Sequence, residues 1–210
     1  MPKKRSKLIN KTCKILNIFG KTPWIKYLFK DIKNRYKSKS DSYTSKTLGD
    51  FVDENILLKE KVGNISVYSL NPASKTITYL AIVSEYEAWN KNQIPYGDIE
   101  NITCKIPTKF FTLMITGSYA KNEQTEKSDI DVVIISNMEP KKIYAELKHI
   151  CEMNIPPIHL YVFKESEFLQ MLLDKKPNYG KEIVKNNLIL MGAETYYKII
   201  FEAMKNGFAG

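Results

Sequence analysis

Residues 110 to 135 restrict the fold more than any other stretch of this chain. Phe110 to Thr116 is an apolar, β-prone run that stops at Gly117-Ser118, and after ten further residues comes Asp129-Ile130-Asp131-Val132-Val133-Ile134-Ile135. A strand, a Gly-Ser turn, a short helix and a second strand bearing two aspartates are the local reading. Strand side chains alternate between faces, so Asp129 and Asp131 project together while Ile130 and Val132 face a core. Paired carboxylates are the hard oxygen ligands that Mg²⁺ takes from a protein when phosphates complete its shell, which makes Asp129 and Asp131 candidate metal ligands. Gly117 lets backbone approach a phosphate, and the Ser118 hydroxyl is a further donor. The plainer alternative is a simple turn followed by a solvated strand edge.

The wording Leu113-Met114-Ile115-Thr116-Gly117-Ser118-Tyr119-Ala120-Lys121 and Lys127-Ser128-Asp129-Ile130-Asp131-Val132-Val133-Ile134 resembles the signature of minimal nucleotidyltransferases of the polymerase-β-like superfamily. Lys121 stands where a basic residue is usual, and Asn122 where Gly is common. The resemblance extends over about residues 108 to 200, with a helix at Lys141 to Met153, a strand at Pro156 to Phe163, a helix at Glu165 to Leu173 and a helical tail from Lys181 through Glu194. It implies an α/β (α+β) domain, a mixed sheet flanked by helices. The implied activity is transfer of a nucleoside monophosphate from an NTP, ATP being the first candidate, to an acceptor hydroxyl with release of pyrophosphate. Asp129 and Asp131 would hold one or two Mg²⁺, and Gly117, Ser118, Lys121 and Ser128 the nucleotide. Many members are antitoxins that modify a partner toxin, so a toxin protein is one acceptor the resemblance suggests.

One departure is visible. The superfamily places a third carboxylate on a later strand, but Ile158-His159-Leu160-Tyr161-Val162-Phe163 contains none. His159 sits near that place and reads either as a catalytic base or as a hydrogen-bonded structural histidine. Glu165 and Glu167 read as helix-start carboxylates favoured by the helix dipole.

Charge divides the chain. Residues 1 to 46 hold 14 of the 32 Lys and Arg but two of the 23 acids, a surplus of twelve positive charges; the other 164 residues carry 18 basic and 21 acidic groups. A basic N-terminal part beside a mildly acidic remainder points to a polyanion-binding module fused to something else. Leu8, Ile9, Thr12, Ile15, Leu16 and Phe19 give a first helix stopped by Gly20. Thr22-Pro23 reads as the cap and first turn of a second helix through Tyr36, and Ser40-Asp41-Ser42 caps a third that ends near Asn55. Leu57 to Leu70 changes to a strand period around Gly63-Asn64, a β-hairpin. Three helices and a hairpin over residues 8 to 72 resemble a winged helix-turn-helix. That likeness implies duplex DNA as partner, with Ser42, Tyr43, Thr44, Ser45 and Lys46 at the major groove and Lys59 and Lys61 on the backbone from the wing. A protein-docking winged helix is the alternative.

A helix from Lys75 to Asn90 follows, a bridge between the halves or a homodimer contact, and turn-rich Asn90 to Gly97 marks the boundary between residues 1–92 and residues 93–210. No run of eighteen apolar residues exists, so a membrane partner is not expected. Cys13, Cys104 and Cys151 are dispersed and outside any Cys-x-x-Cys spacing, which reads as small buried hydrophobes in a reducing cytoplasm. A rival of another class remains open, a non-catalytic transcription regulator that uses the nucleotidyltransferase fold to sense nucleotide or to dimerise.

Overall fold

A computed structural model describes residues 11–37 and 40–210. Leu8 and Ile9, expected in the first helix, lie outside the described residues. Helix α1 (Lys11–Lys21) buries Ile15, Leu16 and Phe19, one stripe at helical spacing. It runs past Gly20 to Lys21 instead of stopping there.

The expected cap at Thr22-Pro23 is not a helix start. The Thr22 hydroxyl instead meets the Tyr27 hydroxyl, and β1 (Tyr27–Leu28) intervenes before α2 (Phe29–Tyr36). Tyr27 is drawn into the strand because it pairs with Tyr68, far along the chain, a contact no local pattern carries. Helix α3 (Asp41–Asp53) begins as expected, its N-cap Ser40 hydroxyl accepting from the Tyr43 backbone N–H at 3.2 Å. Strands β2 (Leu57–Val62) and β3 (Ile65–Leu70) form the hairpin, closed by Gly63 at φ +61°. The sheet order is β1-β3-β2.

Helix α4 (Ser74–Trp89) then crosses to the second half, where α5 (Tyr96–Thr103) precedes the main sheet. That sheet is mixed. Strand β4 (Thr112–Ile115) pairs antiparallel with β5 (Ile130–Ile135) and with β7 (Leu188–Met191), while β5 runs parallel to β6 (Ile158–Phe163), giving the order β6-β5-β4-β7. Helix α7 (Pro140–Met153) is the crossover that a parallel pair requires. Helices α8 (Glu165–Leu173), α9 (Tyr179–Lys185) and α10 (Ala193–Lys205) follow β6. The expected helical tail is therefore interrupted by a strand. Leu188 to Leu190 are buried because β7 is the sheet's edge neighbour of β4, and a four-residue apolar run does not distinguish strand from helix.

Both faces of the sheet are covered. Ile130, Val132 and Ile134 pack towards α5 and α7 with Ile99, Ile102, Ile143 and Leu147. Val133 and Ile135 face the other way, into a core shared with Phe168 of α8, Ile200 of α10, Leu80 of α4 and Phe19 of α1. Apolar packing thus continues through residues on either side of position 92. Cysteine placement is mixed: Cys151 is buried, Cys13 half-buried and Cys104, after the last turn of α5, exposed, contrary to the uniform burial expected. Among the described residues no helix is long and apolar enough to cross a membrane.

Candidate active site

Strand β4 is buried throughout and delivers the chain to Thr116, whose N–H donates to the Asp131 carbonyl at 2.9 Å. The next residue turns sharply. Gly117 has φ +63°, and a Cβ there would stand 2.0 Å from Asp131 Oδ2, so both the left-handed backbone and the carboxylate's approach require the missing side chain. Helix α6 (Gly117–Lys121) spans one turn and ends at Asn122, which at φ 61° adopts the left-handed conformation that closes a helix and that asparagine tolerates better than most residues.

Asp129 immediately precedes β5 and Asp131 is its second residue. Asp131 shares its sheet face with Val133 and Ile135, both fully buried, and stands at the end of that face where it opens to solvent. Burial is the main cause of a carboxyl pKa raised above the ordinary range; His159 pulls it down and Asp129 pushes it further up. His159 lies directly beside Asp131 in the parallel β5–β6 register. Its Nε2 is 3.5 Å from Asp129 Oδ2 and its Nδ1 3.6 Å from Asp131 Oδ1, so the ring lies within reach of both carboxylates. The imidazole is 55% exposed.

The remaining expected residues divide. Ser118 is half-buried in the first turn of α6, and Lys121 is exposed at its last residue. Ser128 acts locally, its hydroxyl accepting from the Thr125 N–H at 2.8 Å and closing the loop that leads to Asp129. Glu167 accepts from the Lys164 N–H and Glu165 from the Asn137 amide, both in the first turn of α8.

Tyr179, at the start of α9, joins the site without any mark in the sequence. Its hydroxyl is 3.3 Å from the Thr116 hydroxyl, and its ring lies 4.6 Å from that of Tyr161, which shares the β6 face of His159. Burial raises its phenol to about 12, the Thr116 contact opposing and Tyr161 and Asp131 adding. Its signal is three-dimensional, since nothing at residue 179 is periodic with the signature far upstream.

In the N-terminal half, Ser42, Ser45 and Lys46 are exposed on α3 and Lys59 and Lys61 on β2. Tyr43 is half-buried, its ring stacked on Tyr36 with centroids 6.5 Å apart. Thr44 corrects the expectation of a groove-facing run. It is fully buried, with its hydroxyl donating to the Ser40 carbonyl, because Thr44, Thr47, Leu48 and Phe51 form the core stripe of α3.

Two convergent carboxylates beside a side-chain-free turn form an arrangement suited to a cation-bound phosphate. Residues 100–200 match the family model of a nucleotidyltransferase domain. The matched span holds Gly117, Ser118, Asp129, Asp131 and His159, and its mixed α/β build agrees with such a domain. No curated protein and no solved structure matches the chain. Among the described residues no three His, Cys, Asp or Glu side chains are grouped to hold a metal by protein ligands alone. Two carboxylates nonetheless fit Mg²⁺, which characteristically keeps few protein ligands and fills its shell with water and substrate phosphates.

Proposed function

We propose that this chain is a Mg²⁺-dependent nucleotidyltransferase, moving a nucleoside monophosphate from an NTP, ATP first among the candidates, to an acceptor hydroxyl. The observation that carries the reading is the fit of Gly117 over Asp131: the phosphate turn and the acid pair are held in one compact unit. Asp129 and Asp131 would hold the metal, which when bound neutralises charge on the phosphates. The Gly117 backbone and the Ser118 hydroxyl orient the triphosphate, with Lys121 supplying countercharge. His159, placed between the two acids, is the group available to take the acceptor's proton, where the superfamily carries a carboxylate. A partner toxin is one acceptor to try.

The N-terminal order α1-β1-α2-α3-β2-β3, with β1 closing a three-stranded sheet, supports reading it as a winged helix. Exposed Ser42, Ser45 and Lys46, with Lys59 and Lys61, then offer a duplex DNA surface. The second reading, a regulator without catalysis, is favoured by one observation, the imidazole in place of the third carboxylate. Incubation with labelled ATP, GTP, CTP or UTP, Mg²⁺ and cell extract separates the two: a labelled macromolecule, absent with Asp129→Asn, supports transfer, and nucleotide binding without any labelled product supports the regulator.

A further inference from the structure

Away from Asp129 and Asp131, the described residues line an open cleft of about 1130 Å³. Lys14 and Lys21 of α1, Arg35 and Lys37 at the end of α2 and Lys185 at the end of α9 line it, against one carboxylate, Glu87 of α4. The cations come from three separate elements, so they follow a path instead of focusing on one point; burial of the Lys21 ammonium, with Lys91 adding, lowers its pKa, while Lys14, Arg35, Lys37 and Lys185 are exposed. Tyr36 and Tyr43 form part of the same wall, their rings stacked at an interplanar angle of 27°.

We infer that this cleft binds single-stranded nucleic acid. A basic groove lined with aromatic rings is the arrangement that holds a single strand, phosphates on the cations and unstacked bases on the rings. A duplex fits it poorly, because its base faces are covered by their own neighbours and aromatic walls have nothing to stack on, while its phosphates lie on a convex cylinder. The cleft therefore differs from the duplex surface proposed for exposed α3 and the wing. It also borders the transferase half: Lys185 ends α9, whose first residue, Tyr179, touches Thr116 beside Gly117, and a helix of seven residues is about 10 Å long. The inference stands on cleft shape and charge and does not need the transferase reading.

Fluorescence anisotropy on the full chain tests it, with labelled twelve-residue uridine and thymidine oligonucleotides, a twenty-base-pair DNA duplex and an oligoglutamate peptide. The wild type should bind one or both single strands more tightly than the peptide. The triple variant Lys14→Glu/Lys37→Glu/Lys185→Glu should weaken single-strand binding tenfold or more, and its salt slope should fall by about 2, at roughly 0.7 per lost contact. Tyr43→Leu, which keeps an apolar side chain against the core, should weaken it about tenfold in protein that circular dichroism shows to be folded. Lys59→Ala/Lys61→Ala should leave single-strand binding in place. Unchanged affinity in the triple variant, or equal wild-type affinity for the acidic peptide, overturns the inference. If charge reversal lowers the melting temperature, Lys14→Gln/Lys37→Gln/Lys185→Gln gives the same reading with a smaller loss. Failure of nucleotide transfer alone does not bear on it.

Discussion

Asp131 occupies the exposed end of a sheet face whose next two residues are fully buried, and its raised pKa records the cost of ionising there. That cost is absent below the ordinary carboxylate range near 3.9, where folded and unfolded chains both carry the proton, and is fully present above the raised folded value. The metal-free protein therefore loses stability as pH rises between those points. Asp131→Asn should remove the loss, giving a melting temperature equal to wild type at about pH 3 and higher at pH 7, while transfer falls roughly a thousandfold for want of several kcal/mol of charge stabilisation. Differential scanning calorimetry across pH together with a transfer assay checks both; a variant that is inactive because it melts lower at pH 7 contradicts the metal role. Gly117→Ala addresses the same contact from the other side. A Cβ 2.0 Å from Oδ2 must displace the carboxylate, and a left-handed alanine adds about 1–2 kcal/mol of strain, so both activity and chemical-denaturation midpoint should drop. For His159, exposed and touching both acids, Asn is expected to lower the transfer rate roughly a hundredfold without moving the melting temperature. Near-wild-type turnover would remove it from the reaction.

At the scale of elements, what the sequence discloses follows the range of the interactions involved. The α3 cap, the Gly63 turn and the strand-turn-helix around Gly117 are local, written in residues a few positions apart, and are legible. Strand β1 is not, since two residues pair only because Tyr68 is waiting across the sheet. Nor is β7, four apolar residues between two helices that become a strand by lying against β4. Thr44 departs from expectation for a different reason: it is four residues before Leu48 and so on its face, a helical relation masked by threonine's hydroxyl. At the site the acid pair and the turn are legible from spacing. Tyr179 is not, because its contact with Thr116 spans two unrelated elements. The β2–β3 hairpin makes its own prediction. Lys59→Ala/Lys61→Ala should weaken duplex DNA binding and reduce the slope of log affinity against log salt by about 0.9 for each phosphate contact removed, measured by titration from low to high salt. An unchanged slope would detach the hairpin from DNA.

Across the whole molecule, the basic N-terminal elements and the half that carries the four-stranded sheet are joined by buried and part-buried contacts on several levels. The Tyr197 hydroxyl of α10 donates to the Gly20 carbonyl of α1, and Glu85 of α4 accepts from the Ala193 N–H, satisfying an otherwise open donor at the start of α10. Trp89 of α4 donates to the Leu190 carbonyl of β7 at 2.7 Å, and Trp24 lies edge-on to Phe208 near the C terminus. Leu80 of α4, 1% exposed, belongs to the core that includes Phe19 on one side and Ile200 on the other. Elements sharing one core lose their packing together, so the chain should unfold in a single transition despite its division in charge. The two tryptophans report on different junctions, Trp24 beside the C-terminal Phe208 and Trp89 at β7. Leu80→Ala should cost about 2–5 kcal/mol and move the denaturation curves from tryptophan fluorescence and far-ultraviolet circular dichroism by the same amount. With Trp24→Phe and Trp89→Phe isolating each probe, coincident midpoints support one cooperative unit. Separate midpoints would mean that the N-terminal elements can come away while the nucleotidyltransferase-like half stays folded.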